Sequence, residues 1–302
     1  MLRLRNVVAL SLAVCLFGLA ATADAYCRKT TCKTCEPDPL TGCPTGGIPI
    51  QWSGACVGYA LEAALPRQVT LATAEVLVAQ AFGAWQAVQC PGTGRHPSII
   101  ASSVGLVQCN RHEYDRSEGN ANVILFREDG WPHPGVEDAL GLTATTFNDE
   151  TGEILDADME INGMVPLSAS DPVNPDATDL LSILTHEVGH FLGLAHSTAP
   201  DATMQPIYGQ GTSDWRTLSQ DDIDGICAVY PPDRSAEPCT FVPHGGFASE
   251  CALGVLQGGC GIARPPPRTD ETGTLVAYSL ACGSLLGRRR RLRRPKPKKK
   301  RW

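Results

Sequence analysis

Three histidines and a glutamate stand at a spacing that could do chemistry in His186-Glu187-Val188-Gly189-His190-Phe191-Leu192-Gly193-Leu194-Ala195-His196. Residues four apart share one face of a helix, so His186 and His190 can reach one metal ion. Glu187 lies beside them, where it can touch a metal-bound water without being a ligand. Gly193 can adopt a positive φ, ending the helix and bringing His196 in from another direction. Three neutral imidazoles and an open fourth position form the ligand set of a catalytic zinc, whereas a structural zinc is usually closed by four ligands. Zinc lowers the pKa of its water, and the neighbouring carboxylate can relay the proton during hydrolysis. HExxH alone arises on the order of once per hundred proteins of this length; adding Gly193 and His196 lowers this to on the order of one in 10^5, which favours a metal site over coincidence.

The elements that position these residues follow from periodicity. A helix from about Ala177 to Leu192 carries the first two histidines, with Leu180, Leu181, Leu184, Val188 and Leu192 as its core-facing stripe. Asp176 reads as its cap, with Asp179 in the first turn. Leu71 to Val88 repeats apolar residues at helical steps and stops at Cys90-Pro91. Strands are expected at Ile48 to Trp52, Ser98 to Val104, Asn122 to Phe126 and Leu155 to Ile161. In the last, Asp156, Asp158 and Glu160 alternate with apolar residues, which predicts one solvated face. A third helix begins at Ser219, with Asp222 as a weak capping box, and ends before Pro231-Pro232.

The histidine segment resembles the metzincin zinc-peptidase signature in full, and Ser197 after the third histidine is similar to the matrixin branch. Met204-Gln205-Pro206-Ile207-Tyr208 resembles the matrixin Met-turn and its specificity-pocket wall. Phe82-Gly83-Ala84-Trp85 and Leu218 to Ile226 with Tyr230 resemble the family's first and closing helices, so the likeness spans roughly Gly47 to Pro232. It implies an α+β, metzincin-like catalytic domain: a twisted, mostly parallel sheet with an antiparallel edge strand, three main helices and a zinc cleft after the active-site helix. It further implies one catalytic zinc on His186, His190 and His196, Glu187 as general base, Met204 in the Met-turn, and a substrate pocket at Pro206, Ile207 and Tyr208. Substrate would lie along an edge strand, expected near Leu155 to Ile161.

Departures from the family pattern also have consequences. Thr145 and Asp158 stand nearest the positions of the family's second, structural zinc, and neither replaces an imidazole well. Carboxylates such as Asp156 and Asp158 could hold calcium, against the simpler account of a solvated strand face. The usual cysteine-bearing propeptide motif is absent; one of Cys27 to Cys43 could reach the zinc, although disulfides explain them as well. His96, His112, His133 and His244 have no ligand-like spacing and read as surface residues.

Charge and cysteine usage give the chain a place to work. Arg3 and Arg5, an apolar run from Val7 to Ala21 and Ala23-Asp24-Ala25 form a secretory signal peptide over residues 1–25. Export predicts paired cysteines: without Cys15, Cys260 and Cys282 ten remain, in pairings the sequence does not reveal. Cys32-Lys33-Thr34-Cys35 also suits a redox pair or half a zinc ribbon, but lacks a second CxxC. Residues 26–46 read as a Cys-rich entry segment, 47–232 as the metalloprotease domain, 233–260 as a Cys/Gly/Pro-rich linker and 261–302 as a C-terminal tag. Cys260, the apolar Leu275 to Leu286 and the cluster Arg288 to Arg294 resemble in order the tripartite sorting tags of myxobacteria, implying surface display. Residues 26–260 hold 10 basic against 29 acidic residues, which speaks against nucleic acid as a partner. The expected protein is a secreted or surface-displayed monomer acting on protein or peptide substrates, touching membrane only through signal peptide and tag. Two rivals are an adhesion module on the same scaffold, disfavoured by the intact Glu187, and a zinc hydrolase of non-peptide bonds, which pocket shape would decide.

Overall fold

The computed structural model describes residues 25–108, 112, 114–207, 209–248 and 251. The stretch up to residue 24 that was expected to be signal peptide, Tyr208, Cys260 and the expected C-terminal tag lie outside the described residues. In chain order the elements are β1 (Cys27–Arg28), β2 (Cys56–Glu62), α1 (Leu71–Ala87), β3 (Ile100–Val107), β4 (Val123–Arg127), β5 (Gly141–Phe147), β6 (Ile154–Asn162), β7 (Leu167–Ser168), β8 (Thr178–Asp179), α2 (Leu180–Phe191), β9 (Leu194–Ala195) and α3 (Gln220–Val229). Five strands form one sheet in the order β3-β2-β4-β6-β5, parallel except for the antiparallel edge β5. With its three helices this is the expected α+β metzincin fold.

Helices α1 and α2 cover one face of the sheet. Ala74, Val78, Ala81, Phe82 and Trp85 make the buried stripe of α1, and Phe82 stacks on Tyr59 of β2 and meets Phe191 of α2 edge-on. Asp179, not Asp176, caps α2: its side chain accepts from Ser182 N (2.9 Å) and from both Arg216 Nε (2.8 Å) and Nη2 (2.7 Å). The bidentate arginine makes this cap stronger than a lone Asx cap, which explains why the nearer-looking Asp176 lost. Ile48 to Trp52 is not a strand of the sheet; Pro49 and Gln51 make only isolated bridges, to Thr30 and Glu153.

The other sheet face corrects the sequence reading. Asp156, Asp158 and Glu160 are buried, not solvated. Part of the segment 233–260, expected to be linker, packs on the sheet instead: Ala248 and Cys251 join Ala60, Val107, Val123 and Leu125 in a second apolar cluster. Cys239 is bonded to Cys56, and Phe247 bridges Asn120. Asp156 and Asp158 hydrogen-bond to one another, and Asp158 Oδ1 also accepts from Val123 N (2.7 Å). Burial pushes the Asp156 carboxyl up to about 6, and burial together with Asp156 pushes Asp158 well above the carboxylate range. Glu160 is paired with Arg127 and lies 3.1 Å from His133 Nε2 and 3.3 Å from His112 Nδ1. His112 and His133 are thus partly buried partners of a buried carboxylate and not free surface residues, while His96 and His244 are exposed.

Four disulfides are described: Cys27–Cys43, Cys32–Cys35, Cys56–Cys239 and Cys90–Cys227. Cys251 is disulfide-bonded as well. The cysteines from Cys27 to Cys43 are therefore occupied with one another.

Candidate active site

The last turns of α2 bring His186 and His190 onto one face, and Gly193 turns the chain back with φ +95°. A Cβ at Gly193 would stand 2.6 Å from Ile50 O, so only glycine fits this bend. His196 then closes the set: one nitrogen from each ring lies within 4.8 Å of the other two, and ring centroids are 4.7 to 5.2 Å apart. Among the described residues this is the single group of three or more His, Cys, Asp or Glu side chains able to share a metal ion.

Two of the rings are already set to ligate. His186 Nδ1–H donates to Thr203 O (2.7 Å) and His190 Nδ1–H to Leu194 O (2.9 Å), because a carbonyl can only accept. Donation from Nδ1 makes Nε2 the unprotonated nitrogen of each neutral ring, the tautomer that hydrogen-bonded carbonyls select in metal-binding histidines. Burial draws His186 down to about 3 and His190 well below the usual range; His196, more exposed, is lowered less deeply by the same cause. The rings are therefore neutral donors at neutral pH, a chemistry that suits zinc.

The carbonyl that holds His186 is itself fixed by α3. Ser219 and Asp222 form a full capping box at its start. Asp222 is buried, and its other contacts run to the Met-turn: Oδ2 accepts from Thr203 N (2.7 Å) and Oδ1 from Met204 N (3.0 Å). Met204 is buried against Gly189, where an added Cβ would run into its sulfur. Ser197 N donates to Met204 O (2.8 Å), which returns the chain after His196. The end of α2 is anchored from outside as well: Trp52 Nε1 donates to Phe191 O (2.9 Å) and Tyr230 Oη to Leu192 O (2.9 Å), satisfying carbonyls that a helix terminus leaves open.

Glu187 turns the other way, towards β5. Its Oε2 accepts from Thr143 Oγ1 (2.7 Å), and Gly141 packs so closely that a Cβ there would meet Glu187 Oε1 at 2.7 Å. Burial pushes its carboxyl up to about 7, against the pull of the Thr143 hydroxyl and the Lys29 charge. A cleft of about 390 Å³ opens over these groups, lined by the three histidines, Glu187, Gly141 to Thr143, Lys29 and Pro206. Of the residues expected at the pocket wall, Pro206 lines this cleft and Ile207 is 73% exposed. The edge strand beside the cleft is β5; β6, where the substrate strand was expected, lies inside the sheet between β4 and β5.

The matrixin family matches residues 109–231. That span contains the helix with Glu187, all three histidines and Met204. Among individual proteins, the chain is 37% identical to rat (Rattus norvegicus) matrix metalloproteinase-16 over 93 residues, 30% of this chain and 15% of that protein. It is 33% identical to human (Homo sapiens) matrix metalloproteinase-25 over 127 residues, 39% of this chain and 22% of that one. With human neutrophil collagenase it shares 30% identity over 149 residues, 47% and 30% of the two chains. The chain thus spans less than a third of the length of these relatives. The matrixin-like domain is the common part.

Several residues of the cleft gave no separate signal in the sequence. Gly141, Thr143 and Lys29 sit in segments with no motif, and only the edge position of β5 and the path of β1 bring them to Glu187. Asp222 had a signal, its capping box, but that pattern says nothing of the Met-turn it also holds.

Proposed function

We infer that the chain is a zinc-dependent endopeptidase, secreted or displayed outside the cell, that hydrolyses peptide bonds in protein or peptide substrates. The observation that carries this reading is the convergence of three neutral imidazoles, two with their Nδ1–H already donated to carbonyls, beside a buried carboxylate at an open cleft. Bound by His186, His190 and His196, zinc supplies Lewis-acid chemistry, polarising a carbonyl and acidifying water. Glu187 acts as general base and then general acid, taking a proton from the attacking water and passing it to the leaving nitrogen. Its raised pKa, about 7, suits both directions of transfer. Thr143 holds one carboxylate oxygen, leaving the other for that proton. A substrate backbone pairs with the free edge of β5, and Pro206 walls the pocket for one of its side chains. The disulfides support a working place outside the reducing cytoplasm.

The test is cleavage of casein and a broad peptide library by the purified, zinc-loaded chain. Activity is expected to vanish with a chelator and return with zinc, and Glu187→Ala is expected to lower kcat by about 10² to 10⁴ while zinc stays bound. A folded, zinc-loaded protein that cleaves nothing in the library overturns the reading.

A further inference from the structure

Lys29 belongs to the N-terminal segment, outside the metal-ligand set, yet its side chain enters the cleft. Its backbone is held from two sides: Lys29 N donates to Gly193 O and Ile50 N donates to Lys29 O, each at 2.9 Å. β1 pairs with β9, and the Cys27–Cys43 bridge closes the segment just beyond. The position of the ammonium is thus built by the fold and is not the wandering of a surface lysine. Nζ donates to Thr143 O (3.1 Å), and the hydroxyl of the same threonine reaches Glu187 Oε2 at 2.7 Å, so one residue of β5 joins the cation to the proposed base.

An ammonium has three donors, and among the described residues Lys29 spends one, on a neutral carbonyl. It makes no direct ion pair with Glu187, although the carboxylate is near enough to act on its charge. A charge withdrawn from water is costly unless an acceptor of opposite sign meets it. Lys29 is only partly buried and lines the cleft beside Gly141 to Thr143 of β5. Among the described residues lining the cleft it is the one lysine or arginine, and Glu187 is the one acid.

We propose that Lys29 is a carboxylate-recognising, specificity-determining residue of the cleft, which selects peptides bearing an acidic side chain close to the scissile bond. This rests on the endopeptidase reading above. The simpler alternative is that Lys29 serves only to balance Glu187 and is blind to substrate charge.

Matched peptides that differ only as Glu against Gln, or Asp against Asn, at each position around the cleaved bond decide between them. For the zinc-loaded chain, kcat/KM is expected to favour the acidic member at one such position by roughly ten- to a hundredfold, the range of a charge-assisted hydrogen bond. Lys29→Met brings that ratio towards one, and Lys29→Glu turns it in favour of a basic side chain. Equal cleavage of the acid and amide peptides by the unaltered protein overturns the proposal, as does a preference that survives in Lys29→Met. The first comparison needs no variant, so a misfolded substitution does not blunt it. Should no peptide be cleaved at all, the endopeptidase reading fails by itself. Calorimetric binding of the acid and amide peptides to the zinc-loaded Glu187→Ala protein then judges Lys29 separately: tighter binding of the acid, lost in the double variant with Lys29→Met, sustains it, and equal binding ends it.

Discussion

Replacing Gly141 by alanine adds one carbon at the place where β5 touches the proposed base. That Cβ would stand 2.7 Å from Glu187 Oε1, 2.8 Å from Cγ and 2.9 Å from Cδ, whereas ordinary contact begins near 3.4 Å. The carboxylate must retreat by several tenths of an ångström, and its 2.7 Å bond from Thr143 Oγ1 must stretch or break. Displacement of a catalytic group on the scale of 1 Å costs about 10²-fold in rate, or ~2.7 kcal/mol of barrier. The fold itself should tolerate the change, since Gly141 is not among the positive-φ glycines. In a Glu187→Ala background, where the obstructing carboxylate is gone, Gly141→Ala is therefore expected to raise stability by about 0.4–1 kcal/mol through the unfolded chain. The measurements are kcat/KM with zinc stoichiometry for Gly141→Ala, and urea unfolding for the single and double variants. Undiminished kcat/KM in Gly141→Ala refutes the reasoning, and so does a loss fully matched by missing zinc.

Further outcomes follow from the same contacts. Asp222→Ala strips acceptors from the buried Thr203 and Met204 amides, so a loss of about 2–4 kcal/mol in unfolding free energy is expected. Because Thr203 O orients His186, zinc affinity should fall about 10- to 100-fold in a competition titration. Gly189→Ala drives a Cβ into Met204 and Trp85 and should lower stability by about 1–3 kcal/mol in chemical denaturation. Asp156 and Asp158 have folded pKa values above their unfolded ones, so the native state binds more protons and stability is greatest at low pH for this pair. It is lost as pH rises from about 4 through the raised values, of which Asp156 lies at about 6. Asp158→Asn should thus gain roughly 1–3 kcal/mol at pH 8, little at pH 4, and flatten the pH slope of the melting temperature. A slope unchanged by the substitution counts against the shared-proton pair.

The histidine cluster was legible because its spacing is local: a four-residue step on one helix and a glycine bend bring the three rings together, although Thr203 and Asp222 then hold His186 in place. Helices α1 and α3 were legible for the same reason, through apolar spacing and the Ser219–Asp222 cap. The character of β6 was not. Its alternation of acids and apolar residues is the pattern of a half-solvated strand, and distant partners, among them Ala248 and Cys251 on that face and Arg127 and His133 against Glu160, bury it. The edge of the sheet was misplaced for a local reason: β5 has a polar, threonine-rich composition, and its antiparallel pairing with the next strand, β6, makes β5 the edge. Asp179 displaced Asp176 as a cap because Arg216, 37 residues away, arrives to hold it. Partners far apart in sequence decided the burial of β6 and the cap of α2.

The bridge between Cys90 and Cys227 fastens the loop after α1 to α3, across 137 residues, and α3 carries the aspartate that accepts from Thr203 and Met204. Without that bond the Asp222 hydrogen bonds remain, but α3 loses its covalent tie to the loop after α1. Oxidation before metal loading is therefore the expected order. Chain made under reducing conditions should emerge poor in zinc even where zinc is plentiful, and a supply of oxidant during refolding should do more for yield than a supply of metal.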